Sequence, residues 1–248
     1  MQGITQFNGY YGCNWCLHPG YYTLTGRGGS VKYILMDDEV DDRNEADTLR
    51  HMRESVASGQ PVYGVLKESV LIHLNQFNII SGFVPDSMHL IDLGIAKQYM
   101  KYWFDTRNMP YSFTNVEINL IENFLKDLTV PSKLVRYTRS IRDRKYWKAK
   151  ELQNWVLYYS TIVLLMIPRM RCYAEHWSYL VRAYYILLQN NITREQIHEA
   201  HRLMNRFVAL TEYYYSRSAM TFNVHRLLHL TQSVVNWGPL YCHSGYGF

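Results

Sequence analysis

The chain is short of cysteine, of charge and of long apolar runs. Four cysteines (Cys13, Cys16, Cys172, Cys242) among 248 residues are too few for a disulfide-stapled secreted scaffold. Charged residues make up only 19%, against 48% hydrophobic, with 22 Tyr, 9 Phe and 6 Trp. Disordered chains have the opposite balance, so that class is excluded. The longest apolar run, Trp155 to Ile167, already contains Ser160 and Thr161. It falls short of the roughly 20 residues a membrane span requires, and reads as a buried helix with no membrane partner. The opening MQGITQFNGYYGC has no basic start followed by an apolar stretch, so no secretory leader is expected. These features predict a soluble, globular, intracellular protein.

The net charge of +5 is unevenly spread. From Lys133 to Lys150 there are eight bases (Lys133, Arg136, Arg139, Arg142, Arg144, Lys145, Lys148, Lys150) and one acid, Asp143. The rest of the chain carries 18 bases and 20 acids, so this block holds the whole positive excess. Conversely, Asp37 to Asp47 holds seven carboxylates against Arg43 alone. Such asymmetry suits a polyanion partner, although a solvated helix face produces basic runs as well. Arg139, Ser140, Arg142, Arg144, Lys145 and Lys148 are the candidate phosphate contacts, giving affinity without sequence choice.

Patterning predicts a mainly α protein with a small N-terminal β hairpin, divided into a Cys-bearing segment over 1–36 and a helical body over 37–248. Tyr21–Thr25 and Val31–Met36 are β-prone runs joined by Gly26-Arg27-Gly28-Gly29-Ser30. Apolar residues at helical spacing then recur at Leu49, Met52 and Val56, and again at Val70, Leu71, Leu74 and Phe77. Asp86 is placed to cap a helix over about Ser87 to Phe104, with Met88, Ile91, Leu93, Ile95, Tyr99 and Tyr102 inward. Thr114-Asn115-Val116-Glu117 and Thr193-Arg194-Glu195-Gln196 are capping boxes, opening helices towards Leu128 and Ser216. Further helices are expected over Trp147–Ile167, Cys172–Gln189 and Asn223–Val235. Trp147, Trp155 and the tyrosines at 184–185 and 213–215 are expected to pack, and Cys172 and Cys242 to be buried thiols.

Cys13-Asn14-Trp15-Cys16 is a C-x2-C knuckle among Gly9, Gly12 and Gly20. Two thiolates so spaced can grip one zinc, and a redox dithiol or an incidental pair also fits the spacing. Pro19-Gly20 follows too soon for the helix start a thioredoxin-type dithiol needs. His225-x3-His229 sets two imidazoles one helical turn apart, which suits ligation or ordinary half-buried histidines. Taken together they complete a Cys2His2 tetrahedron with no position left for water, the pattern of a structural zinc. Such a bridge would tie segments about 210 residues apart, offsetting a large loop-closure entropy. His18 is an alternative ligand.

In order, FNGYYGCNWC, PDSMHLIDLG, RSIRDRKYWKAKELQNWVLYYS, MTFNVHRLLHL and WGPLYCHSGYGF resemble the RNase H-like DDE transposases of the CACTA/Mirage/Chapaev group. More distantly they are similar to Transib transposases and the V(D)J recombinase catalytic subunit. In those families a zinc-bound helical domain interrupts the RNase H fold. The family's C-x2-C, D/C-x2-H and H-x3-4-H signatures match Cys13/Cys16, Asp86/His89 and His225/His229. The resemblance implies DNA (transposon ends) as partner, a homodimer and a nuclear setting. It also implies that two catalytic aspartates precede the C-x2-C and that a glutamate follows Ser244-Gly245-Tyr246-Gly247-Phe248. The Mg²⁺ or Mn²⁺ ions of strand transfer would belong to those acids, so no nuclease activity is expected of these residues.

The resemblance makes Asp86, His89 and Asp92 candidate neighbours of an active site. Three rival readings remain at this point: a helical interaction module without nucleic acid, a zinc hydrolase built on Asp86, His89 and Asp92, and an acidic triad of Asp37 or Asp38, Asp86 or Asp92, and Glu151. Glu151 also suits a simpler role as charge partner of Lys148 or Lys150.

Overall fold

The structure, a computed structural model, describes residues 3–25, 28–129 and 139–247. Lys133, Arg136, Pro131 and the connector residues Gly26 and Arg27 lie outside the described residues. The elements in chain order are strands β1 (Tyr21–Thr25) and β2 (Gly28–Lys32), then α1 (Glu45–Ser58). A π-helical stretch, Met88–Ala96, runs into α2 (Lys97–Phe104), followed by α3 (Asn115–Asp127). Next come α4 (Ala149–Asn154), a π turn at Trp155–Tyr159, α5 (Ser160–Leu165), α6 (Arg171–Leu187) and α7 (Arg194–Tyr215). α8 (Phe222–Arg226) and α9 (Leu230–Trp237) are joined by a 3₁₀ turn at Leu227–His229. No helix among the described residues is long and apolar enough to cross a membrane.

The chain forms two compact units, Met1–Pro85 with Thr211–Trp237, and Asp86–Leu210 with Gly238–Phe248. This grouping cuts the chain at places other than the compositional boundary at residue 36, because the C-terminal histidine helices join the N-terminal knuckle.

In the first unit the strands pair antiparallel from Tyr21↔Lys32 to Thr25↔Gly28. The second strand therefore starts earlier than its β-prone residues suggest, with Gly28, Gly29 and Ser30 inside the ladder. Gly29 suits that place: a Cβ would lie 2.8 Å from the backbone Thr23 O. Beyond Lys32 the chain leaves its partner strand, and the Tyr33 N–H donates to Met220 O at 2.9 Å. α1 begins where the Asn44 side chain accepts the Asp47 N–H, and stops at Gly59 in the left-handed region with φ 66°. Its Met52 packs in a core with Val65, Ile79 and Ile80. The stretch expected to be helical over 70–77 is a single 3₁₀ turn, Val70–His73. Val70 and Leu74 are exposed, and Gln76 has φ 64°, which a helix cannot contain.

The second unit is held by aromatic side chains. Tyr99, Trp103, Trp177 and Phe207 are fully buried, and the Trp103 and Trp177 ring centroids lie 4.9 Å apart. Trp147 and Trp155 are buried core residues, their centroids 5.8 Å apart. Tyr184 and Tyr215 pack as expected within their own units, whereas Tyr185 and Tyr213 point to solvent. The helix expected over Trp147–Ile167 starts at Ala149 and widens to π winding at Trp155–Tyr159. π winding also shifts the phase of Met88–Ala96. Ile91, Ile95 and Tyr99 are buried as the 3.6 period requires, but Met88, Leu93 and Tyr102 are only half-buried. Cys172 and Cys242 are exposed and not buried thiols. Cys172 sits in the first turn of α6 and Cys242 in the 3₁₀ turn Leu240–His243, each turned away from its core.

Both capping boxes form. Thr114 Oγ1 accepts the Glu117 N–H, and the Thr114 N–H donates to Glu117 Oε2 at 2.7 Å. Thr193 and Gln196 exchange the same pair of bonds. Replacing Thr114 by Ala removes one acceptor from the start of α3 and should cost about 1 kcal/mol. A urea titration followed by helical circular dichroism should show a lowered midpoint, and an unchanged midpoint would contradict this account of the helix start.

Candidate metal centre

Cys13, Cys16, His225 and His229 bring their ligand atoms within 4.8 Å of one another. Cys13 Sγ lies 3.5 Å from His229 Nε2, and Cys16 Sγ lies 3.3 Å from His225 Nε2. The two Nε2 atoms are 3.4 Å apart. A tetrahedral ion at about 2.3 Å from sulfur and about 2.05 Å from nitrogen would give edges of about 3.6 Å (S to N) and about 3.3 Å (N to N). These three distances agree with the matching edges of that tetrahedron within a few tenths of an ångström. The set is dry: Cys13, Cys16 and His225 are buried and His229 is half-buried. The cluster can therefore hold a metal ion such as zinc, and all four positions of a tetrahedron are taken by protein.

Local structure explains why these atoms converge. Gly12 lets the chain approach Tyr33, where a Cβ would lie 2.6 Å from the phenol oxygen. Tyr33 accepts the Gly12 N–H at 3.1 Å and donates to Gly9 O at 2.7 Å, while its ring stacks on His225. The Trp15 indole donates to Phe83 O at 3.0 Å, and its ring lies against His229. On the helix side, Thr221 caps α8 and the 3₁₀ turn Leu227–His229 tightens the coil between the two imidazoles.

Arg43 was not singled out from the sequence as a site residue, yet it organises the knuckle. Its buried guanidinium donates to Cys13 O at 2.8 Å, Tyr11 O at 3.0 Å and Tyr63 O at 2.8 Å, and its N–H donates to Trp15 O. Its signal was present as the lone base in the acidic stretch. His18 is not placed as a ligand: its Nε2 is bonded to Ile34 O at 2.7 Å, and its Nδ1 accepts the Gly20 N–H at 3.0 Å. Both ring nitrogens are thus engaged with backbone.

Burial raises the Cys13 thiol, but hydrogen bonds with Cys16, His225 and His229 outweigh it and take it well below the usual thiol range. Cys16 is pushed up, first by its bond with Cys13 and then by burial. A divalent cation resolves this conflict by supplying the charge that lets both sulfurs ionise.

Asp86, His89 and Asp92 do not form one cluster. His89 is exposed and bonded to Asp86, while Asp92 is fully buried. Asp86 Oδ1 accepts the N–H groups of Met88 (3.0 Å) and Gly245 (2.8 Å), so it caps the π stretch and ties down the C-terminal segment. Burial pushes the Asp86 carboxyl up, yet the bonds from Gly245, His89 and Met88 prevail and hold it below its ordinary value. Asp92 Oδ2 accepts hydroxyl bonds from Tyr184 (3.0 Å) and Tyr246 (2.9 Å), and its Oδ1 has no partner. Among the described residues, the cysteine–histidine set is the one group of three or more His, Cys, Asp or Glu whose ligand atoms converge. The hydrolase cluster of Asp86, His89 and Asp92 is not assembled. Glu151 is buried against Arg139, at 2.7 Å, and accepts the Lys148 N–H at 2.8 Å.

The basic block splits into two kinds of residue. Arg139 is committed to Glu151, and Ser140 bonds to Glu122 and caps the 3₁₀ turn Ile141–Tyr146, whereas Lys148 engages Glu151 through its backbone N–H at the start of α4 and its side chain is exposed. Arg142 reaches Asn119, Arg144 is ion-paired with Asp105, and Lys145 lies over the Tyr146 ring.

Burial pushes the Asp92 carboxyl up to about 8, against the opposing Tyr246 and Tyr184 hydroxyls. In the unfolded chain it releases its proton near 3.8, so its stabilising contribution is full below that pH and lost as pH rises to about 8. Relative to the parent, Asp92→Asn should therefore gain stability steadily from pH 5 to pH 8. Parallel pH profiles of the thermal midpoint would contradict the burial of a neutral carboxyl.

No known protein family, characterised protein or solved structure matches the chain.

Proposed function

We propose that this chain is the zinc-stapled helical part of a DDE transposase-type protein, binding DNA at transposon ends as a nuclear homodimer. The observation that carries the proposal is the buried Cys2His2 set. Its two halves come from the two motifs that the transposase resemblance pairs, and they meet at tetrahedral spacing.

Zinc suits the site on chemical grounds. Two thiolates and two imidazoles are the donors of structural zinc, and two thiolate charges balance the ion so that little net charge is buried. When bound, the ion supplies a cross-link and no reaction, because a filled tetrahedron leaves no place for water. Arg43, Tyr33 and Trp15 hold the knuckle and the imidazole rings, the outer-shell role that keeps ligands in register. The RNase H-like surroundings implied by the resemblance are part of the same proposal.

DNA binding is supported by the basic block. Arg142 and Lys145 present exposed charge with no carboxylate partner among the described residues, next to the anchored Arg144. Phosphate contacts of this kind give salt-sensitive affinity with little sequence choice.

The test combines metal analysis with binding. The purified, reduced protein should carry one zinc per chain, lost in Cys13→Ser or His229→Ala and kept in His89→Ala. It should bind duplex DNA with an affinity that falls steeply with salt and is weakened by Arg142→Glu with Lys145→Glu. Zinc retained after Cys13→Ser would contradict the staple. Absent or salt-independent binding would leave a helical interaction module.

A further inference from the structure

We infer that the cleft between α2 and the 3₁₀ turn Ile141–Tyr146 seats a nucleic-acid phosphodiester backbone, and that Lys97 and Lys101 complete it. The inference rests on the DNA-binding reading above and adds two residues far from the basic run in sequence. The cleft has a volume of about 420 Å³ and is lined by Lys97, Lys101, Arg142, Arg144 and Lys145, with Met100 at its wall and Asp105 as the one acid among the described lining residues.

Each side of this cleft is fixed. On α2, Lys97 and Lys101 are one helical turn apart and exposed, while Met100 and Phe104 turn into the core. Opposite, the 3₁₀ turn is anchored by buried Ile141, whose N–H donates to Glu122 Oε2 at 2.9 Å. Arg144 donates to Ile141 O at 3.0 Å, stands over the Phe104 ring and pairs with Asp105. Asp105 is thereby used up. Among the described residues, Lys97, Lys101, Arg142 and Lys145 form no ion pair, so four cations without a carboxylate partner line one concavity. A half-enclosed concavity of one sign concentrates its field on an incoming anion.

The lining also says what kind of anion contact this is. In a chain so rich in aromatics, no aromatic residue lines the cleft among the described residues, and its lining is one of cations around Met100. Lysine and arginine termini around an open trough suit consecutive phosphates of a strand, which fix position and carry no sequence information.

The test is fluorescence anisotropy with two unrelated 20-mer duplexes over a salt series. The parent is compared with Lys97→Ala/Lys101→Ala and with the charge-matched control Arg53→Ala/Arg194→Ala. Bound zinc and circular dichroism report folding. The lysine pair should weaken both duplexes alike, about tenfold or more at low salt. It should also flatten the slope of log K against log salt by about 1 to 2, the loss of roughly two phosphate contacts. The control should retain the parent slope. A lysine-pair variant that binds as the parent does, while Arg142→Glu/Lys145→Glu abolishes binding, would overturn the cleft and leave the DNA reading standing. A parent that binds no duplex would overturn both. Displacement of DNA by millimolar pyrophosphate at constant ionic strength would mark a small-anion pocket instead, and would also overturn the assignment.

Discussion

Two sulfurs and two imidazole nitrogens crowded within 4.8 Å, away from water, form the constraint on which the first unit depends. A buried thiolate has no solvent to stabilise it, and the two Nε2 atoms stand only 3.4 Å apart. A cation at the centre would bond to all four ligand atoms at once. The geometry is therefore that of a site shaped for an ion, and the surrounding contacts maintain it. Arg43 ties three loop carbonyls together behind the thiols, and Tyr33 joins the glycine-rich turn to the His225 ring. The benefit of a bound ion would scale with the distance in sequence: such a bridge would join residues 209 and 216 positions apart, where a single link removes much unfolded-state entropy.

In the second unit the organising polar group is Asp92. It sits in a π-helical stretch, buried beside the Tyr184 and Tyr246 hydroxyls as a neutral carboxyl. Asp86, at the start of the same stretch, holds the Gly245 N–H. Both acids secure the C-terminal segment, which accounts for their polar character without any reaction. The basic block is likewise part structure and part exposed charge. Arg139 and Ser140 satisfy the buried carboxylates Glu151 and Glu122, and Arg142 and Lys145 are left facing outward.

Features written in local chemistry were legible in the sequence. The C-x2-C knuckle, the H-x3-H pair and both capping boxes depend on fixed spacings, and each is found where the spacing placed it. Features decided by long-range packing were not. No residue pattern marks the π winding at Met88–Ala96, so half of the inward set was displaced by its phase shift. Gly28 and Gly29 look like turn residues, yet the ladder includes both, and a Cβ at Gly29 would lie 2.8 Å from the backbone Thr23 O. Cys172 and Cys242 are small apolar residues whose exposure only the helix orientation decides. Lys97 and Lys101 appear as ordinary surface lysines until a turn more than 40 residues away in sequence is placed opposite them.

The metal bridge is tested most directly by zinc K-edge X-ray absorption on the purified protein. The account predicts one population of zinc with two sulfur neighbours at about 2.3 Å and two nitrogen neighbours at about 2.05 Å, with the outer-shell scattering of imidazole rings. A first shell of oxygen, or of four sulfurs drawn from several chains, would contradict it.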